Sequence, residues 1–280
     1  MNLKECFKKL RIWRKSAAGK VSLCLIVASL VLIIWGKFPQ GVLSEKELAN
    51  RNSIIFGVAT NLIGIVITIS FVQYFLDQQR NKDMQNEEAK KILRQDRIMQ
   101  ILIDRYIAYY NQLTTPHDTI IGNSYFDSEQ LNLSFDFPDL RGLYQCSLFL
   151  RDRPYTPVIV SFYEVELTLR DYCITILRDI DFRFFPEIRE ILLEFVRKSI
   201  SLDVRNAVLA YIPRSIENQE VSEMIAKYIV DDTNNWVGRY HSGELNSNIM
   251  IPFVMLYDML KSEGELISKY REEIKTVNIV

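Results

Sequence analysis

Histidine is almost missing from this chain. His117 and His241 are the only two in 280 residues, and they stand far apart. His117 is followed by Asp118, but a lone His–Asp neighbour pair reads as a surface-loop feature. Cysteine is scarce too: Cys6, Cys24, Cys146 and Cys173 form no C-x-x-C pair, which argues against a zinc ribbon or a dithiol redox motif. Cys146 and Cys173 lie in amphipathic segments and read as buried thiols. There is no Walker loop, no G-x-G-x-x-G, no G-x-S-x-G and no H-E-x-x-H. Paired carboxylates such as Asp231 and Asp232 fall at a helix end, where water is their natural partner. The reading is of a non-enzyme with neither cofactor nor metal. With eight prolines and ten glycines, the chain has few breakers, which suits an all-α fold.

Charge is absent where it matters most. Residues 21–36 (VSLCLIVASLVLIIWG) and 53–76 (SIIFGVATNLIGIVITISFVQYFL) contain no charged side chain. Counted from Ala17 to Trp35, the first run has 19 residues. A bilayer core needs about 20. A cleaved signal peptide is the competing reading, but no small-x-small site follows Trp35 and a second apolar run comes soon after. Trp13 and Trp35 are placed to mark the two interfaces. The expected layout is a transmembrane hairpin over 21–76, with helices at about 17–36 and 53–76 and a short outer loop at 37–52.

The near-zero net charge hides a polarity. Residues 1–76 hold ten Lys/Arg against three Asp/Glu, whereas residues 77–280 hold 24 against 32. Positive charge favours the cytoplasmic side, so both termini are expected there. Residues 1–20 form a basic segment with Leu3, Phe7 and Leu10 at helical spacing. It either lies on an anionic lipid surface or only sets topology. The acidic remainder argues against a general electrostatic grip on nucleic acid.

The second apolar run carries a pattern. Gly57, Asn61, Gly64 and Thr68 recur at steps of four, three and four, and so share one helical face. Small residues let helices approach closely, and a buried Asn bonds across such a contact. The face either packs on the first helix of the same chain, or meets other copies or lines a pore. Beyond Leu76 no breaker occurs before Pro116. Residues 77–113 are therefore expected as a helical stalk. Ile92, Met99, Ile103, Tyr106, Tyr110 and Leu113 make a heptad-like seam in it, for coiled-coil association or for docking on the following domain.

Residues 114–280 read as a cytoplasmic helical bundle. Residues 114–136 are irregular, with room for a short strand. Pro138, Pro157 and Pro186 each open a helix, and further helices are expected near 203–212, 220–230, 246–260 and 263–276. Residues 141–214 contain ten arginines and one lysine, interleaved with ten Asp/Glu. The plainer reading is salt bridges between packed helices. The functional one uses the planar guanidinium fork, which suits phosphate and stacks on bases. Arg151, Arg153 and Tyr155 (RDRPYTP), and Arg183 among Phe182, Phe184 and Phe185, are where a ligand or partner would be placed.

The layout of VSLCLIVASLVLIIW and SIIFGVATNLIGIVITISFVQYFL followed by a helical neck resembles the two-transmembrane effectors of bacterial anti-phage defence, of retron or cyclic-oligonucleotide type. The resemblance is one of architecture over about the first 113 residues, without a signature motif. It implies a toxin held inactive until infection, which then damages the inner membrane. The partners it implies are the lipid bilayer, further copies of the chain, and a defence-system protein, a nucleotide or a reverse transcriptase–nucleic acid complex. The alternative is a non-catalytic scaffold that recruits a soluble partner to the membrane, in which case an unrelated hairpin would serve equally well.

Overall fold

The computed structural model describes residues 17–37, 45–115, 130–149, 152 and 155–278. Among these, every regular element is a helix, and the one β-type contact is an isolated bridge between Cys146 and Pro157. The helices are α1 (Ala17–Lys37), α2 (Glu45–Thr114), α3 (Val158–Asp179), α4 (Pro186–Ser201), α5 (Arg205–Leu209), α6 (Ile216–Val230), α7 (Trp236–His241) and α8 (Ile251–Glu273). Short 3-10 turns occupy Phe137–Gly142, Asp232–Asn234 and Ile274–Thr276. The chain divides into two compact units, Met1–Met84 and Gln85–Val280.

In the first unit, α2 is long and apolar enough to cross a membrane, its mean hydropathy reaching 2.2, while α1 carries a shorter apolar stretch, Lys20–Trp35. The two helices touch through small side chains. Ser22 and Ser29 are buried on α1, and Ile55, Ala59 and Val66 are buried on α2. The Ser29 hydroxyl donates to the Ala59 carbonyl at 3.1 Å, an approach that a larger residue at either position would prevent. The other sides of both helices expose isoleucine, valine, leucine and phenylalanine. Apolar surface of this extent on two helices is what a lipid or protein environment must cover. α2 starts eight residues before the expected Ser53 and continues unbroken through the charged stretch 77–91.

In the second unit, residues 85–114 of α2 are not a free stalk. Their heptad-like seam is filled by the same chain: Ile92, Met99, Ile103, Tyr106, Tyr110 and Leu113 are all buried. The Tyr106 ring lies 5.4 Å from Phe162 of α3 and 6.4 Å from Phe195 of α4. Polar contacts fix the register. Tyr270 of α8 donates to Asp96 at 2.9 Å, Tyr172 of α3 to the Gln95 side chain at 2.7 Å, and the Phe184 backbone N–H to Glu88 at 3.0 Å. Of the two readings of the seam, docking on the chain's own helices is the one found, so it is not available as a coiled-coil interface.

Prolines open helices as their fixed φ predicts: Pro157 precedes α3, and Pro186 stands in the first turn of α4. Ser215 caps α6 by accepting from the Asn218 backbone N–H at 3.2 Å. Three expectations fail. Pro138 opens only the 3-10 turn Phe137–Gly142. Cys146 is exposed, while Cys173 is buried as expected. The two helices expected over 246–260 and 263–276 are one, α8, running through Gly264. Gly264 serves close packing and not termination: a Cβ there would lie 2.8 Å from the Tyr110 hydroxyl and 2.8 Å from Leu133.

Candidate functional site

Two constellations stand out, one in each unit. In the first, Gly57, Asn61, Gly64 and Thr68 all lie exposed on α2. They sit two residues out of phase with Ile55, Ala59 and Val66, which face α1. Two residues correspond to about 200° around a helix. The face is therefore turned away from α1, and packing on the first helix, one of its two readings, is not how it is used within the chain. A Cβ added at Gly57 or Gly64 would meet nothing within 4 Å. Thr68 donates to the Gly64 carbonyl at 3.0 Å, and Thr60 to the Phe56 carbonyl at 2.9 Å. Both hydroxyls are thus satisfied on their own helix, whereas Asn61 presents a whole amide at the surface of an apolar segment. An unpaired amide in hydrocarbon costs several kcal/mol by order of magnitude.

The second constellation was not singled out by sequence reasoning. At the centre of the second unit, Glu166 of α3 and Glu263 of α8 are both buried. Glu166 is well partnered: Ser199 of α4 hydrogen-bonds Oε1, and Arg205 donates to Oε2 at 2.9 Å. Arg170 joins the group, reaching Ser199 at 3.3 Å and Asp203 at 3.4 Å. The Arg205 guanidinium also sits 5.0 Å over the Tyr163 ring. Burial pushes the Glu166 carboxyl up, while the Ser199 hydroxyl, Arg170 and Arg205 pull it down.

Glu263 is the contrasting case. Its Oε2 accepts from the Tyr106 hydroxyl at 2.7 Å, and its Oε1 has no hydrogen-bond partner among the described residues. The Tyr163 hydroxyl is likewise without one. Among the described residues no cation bonds Glu263 directly, and burial pushes its carboxyl well above the usual carboxylate range, with the Glu166 charge adding to the shift. The Tyr106 hydrogen bond and Arg170 oppose this. The arrangement can hold one carboxylate charged and the other neutral.

A sequence signal for these two groups existed. Glu166 falls in register with Phe162, Leu169 and Cys173, and Glu263 with Met259, Ile267 and Tyr270. A carboxylate inside an apolar helical stripe is a buried carboxylate.

Of the arginine clusters, Arg151 and Arg153 lie outside the described residues. Tyr155 is 87% exposed with φ of 64°, and Arg183 is exposed, its guanidinium 5.5 Å over the adjacent Phe184 ring. Among the described residues, Arg170, Arg178, Arg189, Arg197 and Arg205 pair with carboxylates of the same chain. His117 and Asp118 are also outside the described residues. His241 Nε2 lies 2.9 Å from Asp258. Among the described residues no group of three or more His, Cys, Asp and Glu side chains is arranged to hold a metal ion. Compared with protein-family models, curated proteins and solved structures, the chain matches none.

Proposed function

We propose that the protein is a membrane-anchored effector that self-associates in the bilayer through the Gly57/Asn61/Gly64/Thr68 face and permeabilises the membrane when its helical second unit is triggered. In this reading α1 and the apolar part of α2 form a hairpin that crosses the membrane twice. The basic N-terminus and the second unit, a helical bundle, are both cytoplasmic. The observation that carries the reading is the open face itself. A row of small residues with one unpaired amide is turned away from α1, on the helix long enough to span a bilayer. Copies meeting there would pair Asn61 with Asn61 and let the backbones approach over Gly57 and Gly64. The layout it shares with two-transmembrane defence effectors makes an anti-phage role, with a phage-derived or defence-system trigger, the proposed setting.

Gly64→Leu gives a clean test. A Cβ at Gly64 meets nothing within 4 Å among the described residues, so insertion and folding should be preserved while close approach of copies is blocked. The native chain, produced in a bacterial host and followed with a voltage-sensitive dye, should depolarise the membrane upon triggering, and Gly64→Leu should not. Equal depolarisation by both would refute the assembly face. Full function after replacing residues 17–76 by an unrelated hairpin would favour a passive scaffold instead.

A further inference from the structure

The buried carboxyl of Glu263 has no part in the membrane reading, yet it occupies the seam between α2 and α8. We propose that the Tyr106–Glu263 contact is a proton-dependent latch: with a proton on Glu263 the second half of α2 stays seated against α8, and loss of that proton releases it. The geometry is specific. Glu263 is fully buried, its one hydrogen bond runs to Tyr106 of α2 at 2.7 Å, and its other oxygen is unpaired among the described residues. Among the described residues no guanidinium or ammonium bonds it.

The groups facing Glu263 come from every helix packed around it. α2 supplies Tyr106 and Tyr110; α3 supplies Tyr163, Glu166, Arg170 and Cys173; Asp203 and α5's Arg205 lie beyond Glu166. Both arginines are engaged by other carboxylates, Arg205 with Glu166 and Arg170 with Asp203. A second negative charge at Glu263 would therefore face Glu166 inside a buried core, with the Tyr106 phenol as its one hydrogen-bond donor among the described residues. Such a charge is relieved by hydration, and hydration requires α2 and α8 to part.

The sign follows from linkage. Burial raises the folded-state carboxyl above its unfolded value of about 4.3. The seated state therefore binds the extra proton. Its stability is full below the unfolded value and is lost as pH rises towards the folded one. Across that window, opening releases one proton, so the opening equilibrium grows about tenfold per pH unit. Tyr106 lies on the helix that also carries the apolar span, but the latch needs no membrane assembly to operate.

Hydrogen exchange on the full chain in detergent micelles, corrected for intrinsic rates, tests this as the pH is raised from about 5, just above the unfolded carboxyl value. In the native chain, amides of residues 99–113 and 256–270 should lose protection by about tenfold per pH unit. Glu263→Gln, which keeps the neutral shape, should stay protected with no such slope. Tyr106→Phe removes a hydroxyl that favours the ionised carboxyl, so its slope should persist and run to a higher pH before it levels off. It remains informative if Glu263→Gln fails to fold. A native chain without the slope, or a Glu263→Gln chain that keeps it, would overturn the latch. So would a Tyr106→Phe slope that levels off at a lower pH than that of the native chain.

Discussion

α2 is one helix with two different surroundings. Before Met84 its apolar side chains are mostly exposed: Ile54, Ile63, Ile65, Ile67, Phe71 and Phe75 have only lipid or protein neighbours as a rational cover. After Gln85 the apolar side chains at Ile92, Met99, Ile103, Tyr106 and Tyr110 are buried by the chain itself. The first half packs by smallness, with Ser29 against Ala59. The second packs by bulk and polarity, with Tyr106 wedged among Phe162, Phe195 and Glu263. The helix thus combines two ways of burying a surface, and substitutions should act differently in each half.

The largest effect is expected in the second half. Tyr106→Ala deletes a ring with no exposure and strands Glu263, so it should cost about 3–5 kcal/mol in denaturant unfolding of the full chain in detergent. Ile65→Ala, at an exposed position in the first half, should change the same measurement by about 0.5 kcal/mol or less. A comparable loss at both sites would erase the contrast. Arg205→Ala should come next, at about 3 kcal/mol, because it leaves the Glu166 carboxylate buried without its guanidinium. Thermal unfolding beside Glu166→Gln with Arg205→Ala checks it, since the double variant should recover part of the loss.

Gly264→Ala separates packing from propensity. Alanine favours a helix interior over glycine by about 1 kcal/mol. Here its Cβ would press on Tyr110 and Leu133, so net destabilisation by about 1–3 kcal/mol is expected. Gly64→Ala in the first half meets nothing and should leave unfolding of the monomer unchanged or slightly improved. The smallest effect belongs to Arg183→Ala, which removes one exposed cation–π contact worth about 0.5–1 kcal/mol.

How much of this was legible in the sequence depends on the physics in play. Apolar runs and the proline starts at Pro157 and Pro186 are local signals, and they located α1, the apolar part of α2, α3 and α4. The seam from Ile92 to Leu113 was legible as a buried stripe, but a stripe does not name its partner. A second copy and a later helix of the same chain satisfy the same heptads. The role of Gly264 was not legible, because the reason for a glycine there, the Tyr110 hydroxyl and Leu133, lies far away in sequence. Glu166 and Glu263 were missed because carboxylates in amphipathic helices are normally solvated. Their fate is set by Ser199, Arg205 and Tyr106, which come from three other elements.

The central claim is that the open face of α2 meets its own copy in a membrane. Disulfide cross-linking in native membranes tests it most directly, using chains whose native cysteines are replaced by alanine and which carry one new cysteine at a time. The account predicts a cross-linked dimer for Thr68→Cys and Asn61→Cys, little for Ile67→Cys on a neighbouring face, and loss of the Thr68→Cys product when Gly64→Leu is added. Cross-linking that is equal at all three positions, or unaffected by Gly64→Leu, would contradict it.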